Sequence, residues 1–395
     1  MKRRTRGARA GKGSAVHGAN PPSSDHLSRR EFVRAAALGG VALAASPALV
    51  RRAGAAVPDS AKVFAVHHKD VCPIVDQYRP ADPQIVKAMV REALLRMGIG
   101  KDVGEIVRGW CPSGKTPATA RVKIKYNGTR GLFPSHAGVV NGVVRLLIDE
   151  GGVKPENAHV YENCPKNFGE ADRPPIFGTP FAGGKNHEPG VVYSQLQAPD
   201  GTDMPGSNHR EDIRLDLGNG TAKDFTFWFW EALDKDTDIL INVASLKRHI
   251  GAPNFTPVTL SMKNHYGSIR DPYRHHGREI GEKIAAVNLA RPIRGKQRLI
   301  VIDALYAMYS HGPERGLLKY GINKLLVARE PVAADFVGWG MLNAVLADER
   351  ANDKEGKLDQ VKPCPEPREI ALAARNGLGV RAETWQDHVV EVDLS

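Results

Sequence analysis

Two short stretches share one pattern: SLKRHIG at residues 245–251 and SMKNHYG at residues 261–267, each Ser–apolar–Lys–x–His–x–Gly. A lysine ammonium can hold an anion, and an imidazole can move protons near neutral pH. Lys247 and His249 stand two apart, so in an extended chain they share a side and face one ligand. The alternative is a surface lysine beside a capping histidine. In the second stretch Lys263 and Asn264 offer a cation and an amide suited to a carboxylate or phosphate. Gly267 then loosens the backbone.

The surrounding charge favours the chemical reading. Residues 247–278 hold six cations, Lys247, Arg248, Lys263, Arg270, Arg274 and Arg278, against the single acid Asp271. His249, His265, His275 and His276 lie in the same segment. A local positive field of this kind favours a small anion, the alternative being a solvated basic loop. A divalent metal is a second possibility, held by His249, His275 or His276 together with Asp303. No H-E-x-x-H or H-x-H spacing occurs, and adjacent histidines such as His275 and His276 diverge in most backbones. There is no G-x-S-x-G elbow and no G-x-G-x-x-G after a strand, which argues against hydrolase and dinucleotide chemistry. Asp335 is as well suited to stabilising a helix start as to holding a ligand.

These residues need a frame, and the pattern supplies one. Strand-like and helix-like segments alternate from residue 62 onward, predicting an α/β fold with a mostly parallel sheet flanked by helices. In open α/β sheets ligands sit beyond the carboxyl ends of the strands. KVFAV runs into His67 and His68; RVKIKY carries Lys125 into Asn127; AHVY runs into Glu162 and Asn163; ILINV leads to Lys247 and His249; LIVI ends at Asp303. Helices are expected at residues 82–98, with Asp82 as cap and Pro83 in the first turn, and at 139–150, 224–233, 333–346 and 368–375. Residues 324–328 read as a further strand. Residues 165–222, rich in Gly, Pro, Asn and Asp, read as a long irregular insertion.

The N-terminal 55 residues carry eleven basic and two acidic side chains, most of the formal charge of +11. Arg29-Arg30-Glu31-Phe32 precedes a short apolar run at residues 35–50 and an Ala-x-Ala site, the order of a secretory signal rather than a fold element. The paired arginines resemble the twin-arginine export signal, which implies a partner in that export machinery, a periplasmic or other extracytoplasmic destination and export in the folded state. The apolar run falls short of a membrane span, so no stable anchor is expected. The remainder carries 44 basic and 42 acidic groups, which removes the electrostatic case for nucleic acid. Cys72, Cys111, Cys164 and Cys364 are scattered, each before a proline. They form no ferredoxin-type iron–sulfur motif and no zinc ribbon, and read as structural thiols with room for one or two disulfides.

The segments LINVASLKRHIG, PVTLSMKNHYGSI, HHG, VIDALYAMYSHGPERG, LLVAREPVAADFVGW and ARNGLG follow one another in an order that resembles the bacterial and archaeal family known as domain of unknown function 362. RVKIKYN and GVVNGVVRLLIDEGG fit its N-terminal part, so the likeness covers roughly residues 120–380. The resemblance marks Lys125, Asn127, Lys247, His249, Lys263, Asn264, Gly267, His275 or His276, Asp303, Gly312-Pro313 and Asp335. His265 stands where relatives place an apolar residue, and Ala328-Arg329-Glu330-Pro331 replaces a Gly-x-Asp-Pro run. Some relatives carry an iron–sulfur module that this chain lacks.

The expected organisation is a signal over residues 1–55, an N-terminal extension over 56–119, the α/β domain over 120–380 and a tail over 381–395. The expected function is that of an exported α/β enzyme binding a small anionic substrate or cofactor at the carboxyl edge of the sheet. Lys247, His249 and Lys263 would be its working groups, with Lys125, Asn127, Asn264, Gly267, Asp303 and Asp335 around the ligand. A non-catalytic binding protein and a metal-dependent enzyme are the alternatives.

Overall fold

Long apolar runs that alternate with amphipathic stretches force a buried sheet between helical layers, and a computed structural model of the chain has that form. It describes residues 56–72, 81–128, 134–163, 187–195, 208–249, 256–312 and 316–395. All of them lie in one compact unit, Leu43–Ser395; a second unit, Met1–Ala42, lies outside the described residues, as does the whole leader over 1–55.

The strands are β1 (Val63–His67), β2 (Val122–Tyr126), β3 (Ala158–Glu162), β4 (Val192–Gln195), β5 (His209–Gly218), β6 (Thr221–Phe229), β7 (Ile239–Arg248), β8 (Val258–Thr259), β9 (Gln297–Met308), β10 (Leu318–Lys319), β11 (Lys324–Ala328) and β12 (Val389–Asp393). The helices are α1 (Pro83–Arg96), α2 (Val103–Trp110), α3 (Ala137–Asp149), α4 (Glu231–Lys235), α5 (Ser261–Asn264), α6 (Ile280–Leu289), α7 (Arg291–Arg294), α8 (Pro331–Asn352) and α9 (Arg368–Arg375). The main sheet has the order β12-β1-β11-β9-β7-β2-β3-β4, with β8 beside β7 and β10 beside β9. Strands β9, β7, β2, β3 and β4 run parallel, whereas β11 is antiparallel to both β9 and β1. The fold is thus the expected α/β sheet, mostly parallel. Its far edge, β1 with β12, comes from residues outside the 120–380 span.

One face of the sheet is covered by α1, α2 and α3, and a continuous core joins Val86, Met89, Ile106, Val140 and Val144 to Ile124 and Val243. Asp82 caps α1 by accepting from the Gln84 and Ile85 amides, as expected, and Gly138 lets α3 pass directly under Ala81, where a Cβ would stand 1.9 Å from its carbonyl oxygen. The other face carries α8 against Ile300, Ile302 and Leu326, and α6 and α9 against the β5–β6 hairpin.

Three expectations are corrected. Residues 224–233 form the end of strand β6 and the start of α4, not one aromatic helix. The reason is a period of two: Phe225, Phe227 and Phe229 are buried while Thr226 and Trp228 face out, and β5 pairs with the strand along its length. Residues 165–222 are not irregular throughout, since β4 joins the main sheet and β5 is ten residues long. Strands β7 and β9 also run further than the apolar runs suggest. Ala244 and Leu246 face one core while Ser245 and Lys247 take the opposite face, so the polar residues are part of the strand rather than of a loop after it.

The alternation of β6 has a measurable consequence. Phe227→Ala is expected to cost about 3–5 kcal/mol in chemical denaturation, and Trp228→Ala less than about 1 kcal/mol. Equal losses at the two positions would contradict the strand.

Candidate functional site

The carboxyl ends of β2, β3, β7 and β9 meet at one rim, where a buried polar cluster replaces the apolar core. Its foundation is Asp335 of α8, which accepts from the Ser261 amide at 2.8 Å, the Ser261 hydroxyl at 2.5 Å and the Met262 amide at 3.0 Å. Asn288 adds a hydrogen bond to the Met262 carbonyl at 2.9 Å. Burial pushes the Asp335 carboxyl up to about 7. Asp335 therefore stabilises a helix start, but that of α5 rather than of its own helix.

Helix α5 delivers Asn264 to the sheet. Its side-chain NH₂ donates to Asn242 Oδ1 at 2.8 Å and to the Val243 carbonyl at 3.1 Å. Its Oδ1 accepts from Lys125 Nζ at 3.1 Å and from Asn127 Nδ2 at 3.3 Å. Asn127 Oδ1 accepts from Lys247 Nζ at 2.6 Å. A relay of amides thus connects Lys125 on one face of the sheet to Lys247 at its end. Lys125 is fully buried and also donates to the Tyr126 carbonyl and, at 2.9 Å, to Glu162 Oε1. Glu162 is held in turn by the Gly128 amide at 2.6 Å and the Asn163 amide at 2.7 Å. Gly267 touches this ion pair: a Cβ there would lie 2.4 Å from both Glu162 Oε1 and Lys125 Cε. The glycine serves close approach to the pair itself.

Above this frame sit Lys247, Lys263, His249 and His276. Lys247 and Lys263 are 1% and 6% exposed. Burial lowers each to about 7; the Lys125 charge adds to the effect at Lys247, and the Lys247 charge at Lys263. Burial with the charges of Lys263, His276 and Lys247 takes His249 down to about 2, and burial with Lys263 takes His276 to about 4. Both imidazoles are neutral at pH 7. The His249 and His276 rings are 6.3 Å apart, Tyr266 meets His276 edge-on at 5.4 Å, and Tyr273 stacks beside it at 6.1 Å.

The echo between the two motifs dissolves here. Strand β7 is extended, so Lys247 points to the rim and its neighbour Arg248 turns away to the Tyr309 and Lys362 carbonyls. The second motif is helical, so Lys263 and His265 diverge. His265 is buried against Gln297 at 2.6 Å and Asn242 at 3.0 Å, outside the lysine cluster. Gly251 and Pro313 lie outside the described residues.

The remaining candidates divide. His275 turns to Phe227 at 5.1 Å, away from His276. Asp303 lies within β9 rather than at its end and accepts from His136, both from the amide at 2.7 Å and from Nδ1 at 2.8 Å. The residues considered for a metal are thus not gathered, and no group of three or more His, Cys, Asp or Glu suited to a metal occurs among the described residues. His67 pairs with Asp393 at 3.1 Å and stays outside the cluster, with β11 and β9 between β1 and β7. Cys72, Cys111 and Cys364 are not in disulfides, and Cys164 is outside the described residues. Among the described residues no helix is long and apolar enough to cross a membrane.

Three residues at the rim escaped the sequence reading. His136 stands alone before an apolar helix, with no spacing to flag it. Glu369, 2% exposed, accepts from the Thr256 hydroxyl and lends Lys263 an opposing charge. Tyr306 lies edge-on to His136 at 4.9 Å.

Residues 194–340 match the family model described as Domain of unknown function (DUF362). The match takes in Lys247, His249, Lys263, Asn264, Asp303 and Asp335, whereas Lys125, Asn127 and His136 precede it. No curated protein and no solved structure matches the chain.

The depressed ammonium groups set a sign for stability against pH. Between the folded value of about 7 and the ordinary 10.5, the unfolded chain binds the proton and the folded chain does not. Stability therefore rises with pH in that window. Lys247→Met is expected to remove part of that rise between about pH 7 and 9, at most about 1.4 kcal/mol per pH unit. Parallel curves for wild type and variant in denaturation at the two pH values would refute the buried-ammonium assignment.

Proposed function

We propose that the chain is an exported protein that binds a small carboxylate or phosphate at the carboxyl rim of its sheet, and that it acts on that ligand as an enzyme. The supporting observation is the placement of two buried ammonium groups, each held low by burial, with the Lys247 charge adding to the effect at Lys263, beside neutral imidazoles. Buried like charges cost folding free energy, and an anion between them offsets that cost. Lys247 and Lys263 recognise the anion. Lys125 and Glu162 complete their own charge balance and act as the frame, with Asn127 and Asn264 transmitting its geometry. An ammonium that titrates near pH 7 is matched to general acid–base work, because both its forms are populated at the operating pH. His249 contributes a neutral hydrogen-bonding imidazole; its depressed basicity does not suit it to shuttling protons. Delivery across the membrane would be directed by the paired arginines and apolar run in residues 1–55.

Calorimetric titration with inorganic phosphate tests the anion site. The full-length wild type is expected to bind, and Lys247→Met and Lys263→Met to weaken binding at least about tenfold each, roughly 1.4 kcal/mol. Affinity should fall as pH rises through about 7, where the ammonium groups lose their protons. Absence of binding, or wild-type affinity in both variants, rejects the site. For export, residues 1–55 fused to a folded reporter are expected to direct it across the membrane, and Arg29→Lys with Arg30→Lys to retain it inside. Equal export of both fusions rejects the twin-arginine reading.

A further inference from the structure

His136 breaks a local rule. It occupies the N-cap position of α3, where Ser, Thr, Asp or Asn would satisfy the helix amides, yet its side chain makes no capping hydrogen bond. Its ring is spent on Asp303 instead: Nδ1 lies 2.8 Å from Oδ2, and the same oxygen accepts the His136 backbone amide at 2.7 Å. Asp303 is itself fully buried, and its other oxygen accepts the Leu305 amide at 3.2 Å. Tyr306 closes the second side, its ring perpendicular to the imidazole at 85° and its hydroxyl 3.1 Å from Cys72 Sγ. A carboxylate at Nδ1 fixes the hydrogen there and leaves Nε2 as the acceptor nitrogen of the neutral ring. The His136 side chain is 10% exposed, so the ring is not sealed in the core.

Its neighbour is the anion site. Asp303 pairs with Ser245 across β9 and β7, and Ser245 meets the Ser135 hydroxyl at 3.2 Å. Lys247 is two residues further along β7 on the same face as Ser245, beyond a shift in register that sets it opposite Met308 of β9. The Ser135 amide donates to the Asn127 carbonyl at 2.8 Å, and Asn127 is the residue that holds Lys247. The dyad and the ammonium thus share one scaffold of three strands.

From this geometry we infer that His136, oriented by Asp303, is the proton acceptor of the rim, serving an anionic ligand held by Lys247; the inference rests on the anion-binding reading above. The ligand class is a carboxylate or phosphate that also carries an O–H. Nε2 takes that hydrogen as a proton, the ligand oxygen keeps the electron pair, and the resulting imidazolium is balanced by Asp303 while Lys247 holds the new oxyanion. The division of labour resolves a tension in the cluster: His249 is kept neutral by burial beside Lys263 and Lys247, whereas His136 faces a carboxylate.

Histidine side-chain nitrogen NMR on the full-length protein with inorganic phosphate as the probe tests this, with His136→Gln assigning the signals. The expected result is the Nδ1–H tautomer without phosphate and movement of Nε2 toward the imidazolium position on titration. That movement should vanish in Lys247→Met, and Asp303→Asn should mix the tautomers. Should either His136→Gln or Asp303→Asn fail to fold, carbethoxylation of the wild type mapped by mass spectrometry gives the second readout. His136 is expected to react before His249 and His276 and to be protected several-fold by phosphate. An Nε2–H tautomer, or a ring and reactivity indifferent to phosphate while calorimetry still records Lys247-dependent binding, overturns the role of His136 alone. No heat of binding overturns the anion site and this inference with it.

Discussion

An ammonium group removed from water must find acceptors or lose its proton, and the rim of this sheet is organised around that constraint. Three lysines are buried there and each meets the constraint differently. Lys125 is given a carboxylate, a backbone carbonyl and an amide oxygen. Lys247 is given the oxygen of Asn127, and Lys263 the more distant charge of Glu369.

The amides make this arrangement rigid. Asn264 can serve Lys125, Asn127 and Asn242 at once only if α5 is fixed to within tenths of an ångström, and Asp335 on a separate helix fixes it. A network of this kind is strong when every member is satisfied and costly when one is lost. Stability of the α5 turn and shape of the rim are therefore not independent properties. The same logic explains why a glycine, and no larger residue, follows the amide three positions on.

Much of this was legible before any coordinates. The carboxyl ends of β2 and β3 were placed by apolar runs, those of β7 and β9 lie several residues beyond theirs, and Lys125, Asn127, Lys247, Lys263 and Asn264 converge. What sequence spacing cannot carry is the partner of each group. Asp303 looked like a ligand-facing carboxylate because it follows an apolar run; it engages His136, 167 positions away in the chain. His265 looked equivalent to His249 because the letters repeat, but a helix and a strand turn the same spacing in different directions. The hairpin strand β6 was hidden by aromatic residues dense enough to satisfy either period, and the pairing with β5 settled it. Glu369 was invisible because a lone acid in the first turn of a helix is ordinary.

The sheet order carries a kinetic implication. Strand β1, at residues 63–67, is bracketed by β11 at 324–328 and β12 at 389–393, and β2 is bracketed by β3 and β7. Neighbours in space are thus separated by up to some three hundred residues of chain. Closing such loops must precede the contacts that reward closure, which makes assembly of this architecture slow and leaves unpaired strand edges exposed meanwhile. For such a chain the interval between synthesis and completion of the sheet is its period of greatest exposure to aggregation.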